Sequence, residues 1–595
     1  MHLGRLTENG SALAGSARHS TKVRFDVARD GDEEIFLEVR ATGDALLRSP
    51  LTNKGTAFTP SERVELGLAG LLPPRVESLE QQTARAYSAF QREATPLGRY
   101  RFLRRLQDTN EVLYFALLLE HVREMMPIVY TPTVGEGVER FSDIFEVPRG
   151  LSLSIDDPCE PNDVVASYPL DDVRMIVATD SSAILGIGDQ GYNGLAIAIG
   201  KLALYTLGGV SPFRTVPVVL DVGTDRTSLH EDPLYLGVKR KRLRGEAHLA
   251  FVRKFVDAVR ERWPKAIIQW EDFGKETAFD VLDAFRNVIP SFNDDIQGTG
   301  AVALAGLLAA VHAKRGGAGP KLGGLSHERF LVFGAGAGGA GVARAIREGL
   351  EREGLTRAEA AARLFVVDSK GLLVEGRPME DYKKELAQPA GAIQGWKVAG
   401  AVPSLVETIE NGKVTTLIGL SGQRASFGQA VVRALAKNTE RPIVFALSNP
   451  TSACEAVPAD VLRWTEGRAL VATGSPFDPV ELDGKKHVIG QGNNAFIFPG
   501  LGFGAIMAEA RKITDAMIAE SAYALAELTI DRYGTQGLTY PPVEDLRDAS
   551  ARVAARVAKR ALADGVAGRT DLPDDLEAHA RRLAWSPRYL PFRRA

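Results

Sequence analysis

Four carboxylates carry the clearest chemical signal in this chain: Glu271 and Asp272 in QWEDFG, and Asp294 and Asp295 in SFNDDIQGTG. Each pair sits among apolar and aromatic residues, Ile267, Ile268, Trp270 and Phe273 around the first and Ile289, Phe292 and Ile296 around the second. Carboxylates are almost never fully buried unless they are paired or bound to a cation. Two acidic pairs about two dozen residues apart in such surroundings point to a shared divalent cation. Hard oxygen ligands favour Mg²⁺ or Mn²⁺ over zinc. The alternative is that each pair caps a helix or faces solvent.

A lysine offers a second kind of chemistry. Residues 194–206, GLAIAIGKLALYT, are apolar almost all round except for Lys201, and such a helix is normally buried. Burial lowers the pKa of an ammonium and makes lysine a plausible base near neutrality. A carboxylate such as Asp294 beside it would tune that pKa back upward. The competing reading is a lysine that snorkels out along its stem.

A glycine-rich turn offers a third. Phe330-Leu331-Val332-Phe333 runs directly into Gly334-Ala335-Gly336-Ala337-Gly338-Gly339, with helix-like residues 342–346 behind. GxGxxG alone is weak, but a strand before it and a helix after it make it a dinucleotide fingerprint. Gly334 would permit the tight turn, Gly336 the approach of a pyrophosphate, and Gly339 close packing of helix on strand. A purely structural turn is the alternative. Asp368, at the end of LFVVD, lies beyond the usual spacing of about 20 residues, and residues 351–363 absorb the difference. It would accept from the adenosine ribose hydroxyls, which favours NAD. Lys370 could instead meet a 2′-phosphate, so NADP stays possible.

These groups need a scaffold. Residues 1–50 read as a peripheral extension with a short strand at Ile35–Val39. Residues 61–126 are helical in pattern, starting at Ser61, and a strand-like Ile128-Val129-Tyr130 follows. Two buried strands joined by a turn are expected at Val173–Val177 and Ala183–Ile187, and further short strands at Val216–Leu220 and Ala266–Trp270. Strands alternating with helices imply an α/β sheet. After the linker Gly316-Gly317, candidate strands at 330–333, 364–367, 416–418, 443–446 and 470–472 form the doubly wound, Rossmann-type pattern. From Thr514 the chain is helical, most simply a packing or assembly element.

Composition removes several function classes. A 595-residue chain is too long for one core. A net charge of −3 calls for neither nucleic acid nor an anionic membrane. The two cysteines, Cys159 and Cys454, lack metal-ligand spacing and fit a reducing cytosol. The first residues lack an apolar signal segment. Arg5, Arg18, Lys22 and Arg24 are offset by Glu8, Asp26, Asp30 and Asp32-Glu33-Glu34, which argues against a transit peptide. The apolar runs 194–210 and 298–311 are short for membrane spans, so a cytoplasmic protein is expected.

With these residues assembled, the chain resembles the malic enzyme family from about Leu51 to its C-terminal region. The resemblance rests on LTNKGTAFT, MMPIVYTPTVGEG, ILGIGDQG, AIGKLALYT, VVLDVGTD, QWEDFG, FNDDIQGTGAVALAGLL, FGAGAGGAG, FALSNPT, ATGSPFDPV and GQGNNAFIFPG. It implies an N-terminal extension (1–50), a substrate domain with helical start (51–290), a Rossmann-type domain (291–550) and a helical tail (551–595). It also implies oxidative decarboxylation of (S)-malate to pyruvate and CO2 with reduction of NAD or NADP, a divalent cation, and a homotetramer or dimer. By that resemblance Glu271, Asp272 and Asp295 correspond to metal ligands, Lys201 to the general base, Tyr130 to the general acid, and Asp294 to the carboxylate that assists the lysine. Asn449, Asn493 and Asn494 correspond to positions that contact substrate and nicotinamide. Read without its YTPTVG context, Tyr130 is simply an aromatic at a strand end.

Two departures stand out. Where the family often has D-x-x-R-I-L-G, this chain places Ala183 at the arginine position. A small residue there also resembles malolactic enzymes, which convert malate to lactate and CO2 with NAD retained. Thr109 stands where fumarate-activated animal members carry arginine, so fumarate activation is not expected by that route. A catalytically silent nucleotide-binding regulator would be marked by loss of Lys201, Tyr130 or a metal carboxylate, and all are present.

Overall fold

The computed structural model describes residues 25–595, so Arg5, Glu8, Arg18, Lys22 and Arg24 lie outside the described residues. The alternation at Ile35–Val39 belongs to an antiparallel hairpin, β1 (Phe25–Asp30) and β2 (Glu33–Val39), in which Leu37 and Val39 are buried while Ile35 and Glu38 face outward. The helical region begins at Pro60, one residue earlier than the pattern suggested. Thr59 and Glu62 there exchange the side-chain-to-backbone bonds of a capping box.

Two expected strands are absent. Ile128 and Val129 complete the helix Val122–Val129, and Tyr130 is its extended C-terminal cap. Met125, Met126, Ile128 and Val129 are all buried on that helix, so tertiary packing overrides the strand propensity of three residues. Ala183–Ile187 is a turn with only one bridge, Ile184 to Gly188. Gly186 (φ 84°) and Gly188 (φ 72°) both take left-handed backbone there, which a regular strand cannot contain. A Cβ on Gly186 would lie 2.4 Å from Pro450 Cδ, so this turn approaches the SNPT loop closely.

The first large sheet is wholly parallel, with order β3-β5-β4-β6-β7, built from β3 (Leu151–Ser154), β4 (Met175–Thr179), β5 (Thr215–Asp221), β6 (Ile267–Glu271) and β7 (Ser291–Asn293). β4, β5 and β6 are buried along their whole length, as parallel strands covered on both faces must be. From β7 the chain enters a π-helical turn, Asp294–Gly298, that continues into the helix Thr299–Lys314. By length and mean hydropathy (1.5) the run Asp294–Lys314 resembles a membrane span, but 78% of its apolar window is buried inside the protein.

The second sheet contains β8 (Phe330–Phe333), β9 (Leu364–Asp368), β10 (Gly371–Leu372), β11 (Thr416–Gly419), β12 (Ile443–Ala446) and β13 (Leu470–Thr473). A small hairpin of β14 (Val480–Leu482) and β15 (Lys485–His487) precedes its last strand, β16 (Gly490–Gln491). The order is β10-β9-β8-β11-β12-β13-β16, parallel except for β10. The chain winds outward from β8 in both directions, which opens a crevice at the carboxyl ends of β8 and β11.

The tail closes back on the start. β17 (Phe592–Arg594) lies parallel to β2. Phe592 packs edge-on against Phe58 at 5.6 Å, beneath the Lys54 ammonium at 4.0 Å. Its backbone N–H donates to Glu62, whose carboxylate also accepts from Lys54 at 2.6 Å. The NKG segment, the helix Pro60–Glu65 and the last strand thus share one buried ion pair. Phe592→Ala should lower stability by about 3–5 kcal/mol, read as a lower urea midpoint. An unchanged midpoint would contradict this view of the tail.

Candidate active site

The lysine helix, Leu195–Leu207, is buried at every position. Lys201 is 2% exposed, so it does not snorkel. Its ammonium lies 2.5 Å from Asp294 Oδ2 and 2.9 Å from Glu271 Oε1, and 4.5 Å above the Phe498 ring. One turn position makes a further neighbour possible. A Cβ on Gly200 would sit 2.7 Å from the carbonyl oxygen of Val129, so glycine lets the segment ending in Tyr130 lie against the helix. The Tyr130 ring centre is 5.4 Å from Lys201 Nζ.

The carboxylates arrive from two parallel strand ends. Glu271 closes β6, and Asp272 follows in left-handed backbone (φ 56°). That conformation is held by Asp272 N–H donating to Asp295 Oδ2 at 2.7 Å and by Ala183 N–H donating to Asp272 O at 3.0 Å. Asp294 and Asp295 open the π-helical turn after β7, a distortion that frequently marks functional sites. The capping reading fails there, because Asn293 supplies the cap by accepting from Ile296 N–H at 2.9 Å. Carboxylate oxygens of Glu271, Asp272 and Asp295 all lie within 4.8 Å of one another. Asp272 Oδ2 is buried without a hydrogen-bond partner among the described residues. Three desolvated oxygen donors with an orphaned anionic atom fit a hard divalent cation.

Electrostatics divide the four acids. Burial pushes Glu271 up to about 8, with Lys201 opposing and Asp295 and Asp294 adding to the rise. Burial and the neighbouring Asp295 and Glu271 raise Asp272 well above the carboxylate range. Asp295 is raised to about 6, chiefly by burial. Asp294 is set apart by geometry: its Oδ2 accepts from Lys201 and, at 3.0 Å, from Asn494 Nδ2.

The lysine corrects one expectation. Burial does pull its pKa down, but Asp294, Glu271 and Tyr130 more than offset that pull, and the ammonium is held well above its ordinary value. Tyr130 is raised too, by burial first, so its phenol keeps its proton.

The asparagines are less uniform than the resemblance implies. Asn494 spends its amide on Asp294 and on Thr299 Oγ1, at 3.0 Å each. Asn493 Oδ1 accepts from Ala495 N–H at 2.9 Å, and Asn449 Oδ1 from Ser475 Oγ at 2.6 Å. Arg242, near the turn that carries Ala183, does not replace the family's arginine. Its guanidinium grips Asp189 through two bonds and donates to the Asp180 carbonyl at 2.8 Å. Residue patterns missed Gln269 and Tyr205, which join Glu271 in a buried chain. The available signal was Gln269 standing two residues before Glu271, on the same face of β6.

At the crevice, two of the three fingerprint glycines are required by packing alone. A Cβ on Gly334 (φ 112°) would meet Leu420 O at 2.3 Å, and one on Gly339 would meet Gly334 O at 1.8 Å. Gly336 differs: it caps the helix Ala337–Arg352, and a Cβ there would meet nothing within 4 Å. The open side of that turn, with the uncapped amides of the helix start, suits a pyrophosphate. Asp368 ends β9 as expected, but its carboxylate is engaged. Oδ1 accepts from the Lys370 backbone at 2.8 Å, and Oδ2 from Arg377 at 2.6 Å with Lys383 at 3.6 Å.

Residues 107–286 match the family model described as malic enzyme, N-terminal domain, and residues 296–562 match malic enzyme, NAD binding domain. The chain belongs to the malic enzyme family. Similar members include the NAD-dependent malic enzyme of Pseudomonas savastanoi pv. phaseolicola, 44% identical over 94% of this chain and 98% of the relative. That of Aeromonas salmonicida is 45% identical over 95% and 99%. Among solved structures, Entamoeba histolytica malic enzyme (23% identity, TM-score 0.54, 87% of this chain and 91% of that one) shares the fold. The malic enzyme of Pyrococcus horikoshii OT3 aligns at 25% identity and TM-score 0.51 over 78% and 89%.

The desolvated acids make the cation-free protein sensitive to pH. Glu271, at about 8, and Asp295, at about 6, both stand above their unfolded values, so the native state binds more protons than the unfolded chain from roughly pH 4 to 8. The cluster's contribution to stability therefore falls as pH rises through that window. In chelator-treated protein, Glu271→Gln should melt above wild type at pH 8 and near it at pH 5. A difference that does not change with pH would contradict the assignment.

Proposed function

We infer that this protein oxidatively decarboxylates (S)-malate to pyruvate and CO2 with reduction of NAD. The observation that carries the reading is Lys201, locked between Asp294 and Glu271 and beside Tyr130, in a chain 44–45% identical to NAD-dependent malic enzymes.

Each group then has a role. Lys201 takes the proton of the malate C2 hydroxyl as the C2 hydride departs. To do so it must first be neutral, and sharing Glu271 Oε1 with a cation would weaken one of the two carboxylates that hold its proton. Asp294 remains beside the amine as its partner in the relay. The Gly334–Gly339 turn would hold NAD, which would supply the hydride acceptor. Glu271, Asp272 and Asp295 would hold a divalent cation, Mg²⁺ or Mn²⁺, which would supply Lewis acidity for the developing carbonyl. The C3–C4 bond breaks to release CO2, and Tyr130, whose burial keeps the phenol protonated, donates to C3. Asn449 and Asn493 are assigned to substrate and nicotinamide by the family resemblance alone. Asn494 acts through Asp294, which its amide orients.

Ala183 supports a second reading, malolactic conversion with NAD retained, because no arginine side chain projects from that position. We further propose a cytoplasmic homo-oligomer, a tetramer or a dimer, with a substrate domain ending near residue 290. The family resemblance supports the oligomer, and two cysteines outside any disulfide accord with a reducing compartment.

Purified protein given malate, Mn²⁺ and NAD should accumulate pyruvate and NADH in equal amounts, faster than with NADP. Lactate without NADH would establish the malolactic reading instead. Lys201→Ala should lower malate oxidation by about 10²-fold or more while leaving NAD affinity intact. Undiminished turnover would remove the base assignment.

A further inference from the structure

Glu271 presents two oxygens, and each is held by a different group. Oε1 faces Lys201 at 2.9 Å, while Oε2 accepts from Gln269 Nε2 at 2.8 Å. Gln269 is wholly buried, and buried polar groups are almost always hydrogen-bonded. Its other end is also specified: Tyr205 Oη donates to Gln269 Oε1 at 2.5 Å. A hydroxyl donor on one side and a carboxylate acceptor on the other leave one orientation of the amide in which both bonds form.

Tyr205 in turn has no room to move. It follows Lys201 by four residues, so the two side chains share a helix face. Its ring packs on Phe498 at 5.1 Å, the same ring that lies under the Lys201 ammonium. The same helix, Phe498–Met507, approaches so closely that a Cβ on Gly502 would come 2.6 Å from the tyrosine ring.

We propose that Tyr205 and Gln269 are positioning residues for the divalent cation. They anchor Glu271 Oε2 to the protein and fix the plane of the carboxylate, so that Oε1 alone is shared between Lys201 and the cation. The lysine helix therefore reaches Glu271 twice, directly through Lys201 and indirectly through Tyr205. This rests on the reading of Glu271 as a metal ligand. Partners that orient a ligand carboxylate in this way typically change metal affinity 10–100-fold when removed.

The test is Mn²⁺ affinity, measured by the electron-paramagnetic-resonance signal of the free ion, with NAD affinity as the control. Gln269→Met should weaken Mn²⁺ binding by about 10-fold or more, and Tyr205→Phe by about threefold or more. Because Tyr205 acts only through Gln269, the double variant should bind Mn²⁺ no worse than Gln269→Met alone, and NAD affinity should hold throughout. Mn²⁺ binding within about twofold of wild type in Gln269→Met, a double variant with multiplied losses, or a parallel loss of NAD would each overturn the proposal. Should Gln269→Met not fold, Tyr205→Phe decides alone, since it removes one oxygen atom. Glu271→Ala separates the two levels of the argument. If it too binds Mn²⁺ normally, the metal-site reading fails; if it alone loses Mn²⁺, only the positioning role does.

Discussion

Lys201 carries a charge into the buried interior, and desolvating an ammonium costs several kcal/mol unless well-placed partners offset it. Here Asp294 and Glu271 are those partners, and the rest of the site can be read as what is needed to bring them to one nitrogen. The helix must be apolar to sink into the molecule. Glycine at 200 must admit the Tyr130 segment. The strand carrying Glu271 and the turn carrying Asp294 must end at the same depth, which parallel pairing of β6 with β7 provides. The π-helical turn then aims two consecutive acids differently, one at the lysine and one at Asp272.

That divergence turns four similar carboxylates into two functional units. Glu271, Asp272 and Asp295 form a largely buried cluster whose mutual repulsion a divalent charge would relieve. Asp294 belongs to the lysine and to Asn494. Glu271 bridges the units, since it touches both the ammonium and the other cluster members. A cation held by that cluster and the lysine's proton would therefore be linked through one side chain.

Much of this was legible from residue patterns, for identifiable reasons. The five strands from Phe330 to Ala472 are short apolar runs bounded by turn residues, and all five form. Lys201 stood out because a single charge interrupts thirteen buried positions. Other features were hidden because they depend on distant neighbours. Tyr130 looks like a strand end until the packing of Met125 and Met126 makes the preceding residues helical. The ILGIG segment contained its own warning in Gly186 and Gly188, whose left-handed backbone breaks the expected strand. The direction of the Lys201 shift could not be seen, because it is set by residues 70 and 93 positions away in sequence (271 − 201 and 294 − 201).

The division of the acidic pair at the π-helical turn is the claim on which the account stands, and comparing Asp294→Asn with Asp295→Asn tests it most directly. For each variant, Mn²⁺ affinity and malate turnover at saturating Mn²⁺ are measured together. Asp295→Asn should weaken Mn²⁺ binding by about 10-fold or more, whereas Asp294→Asn should leave it within about twofold yet lose turnover. Equal losses of Mn²⁺ affinity in both, or a loss confined to Asp294→Asn, would contradict it.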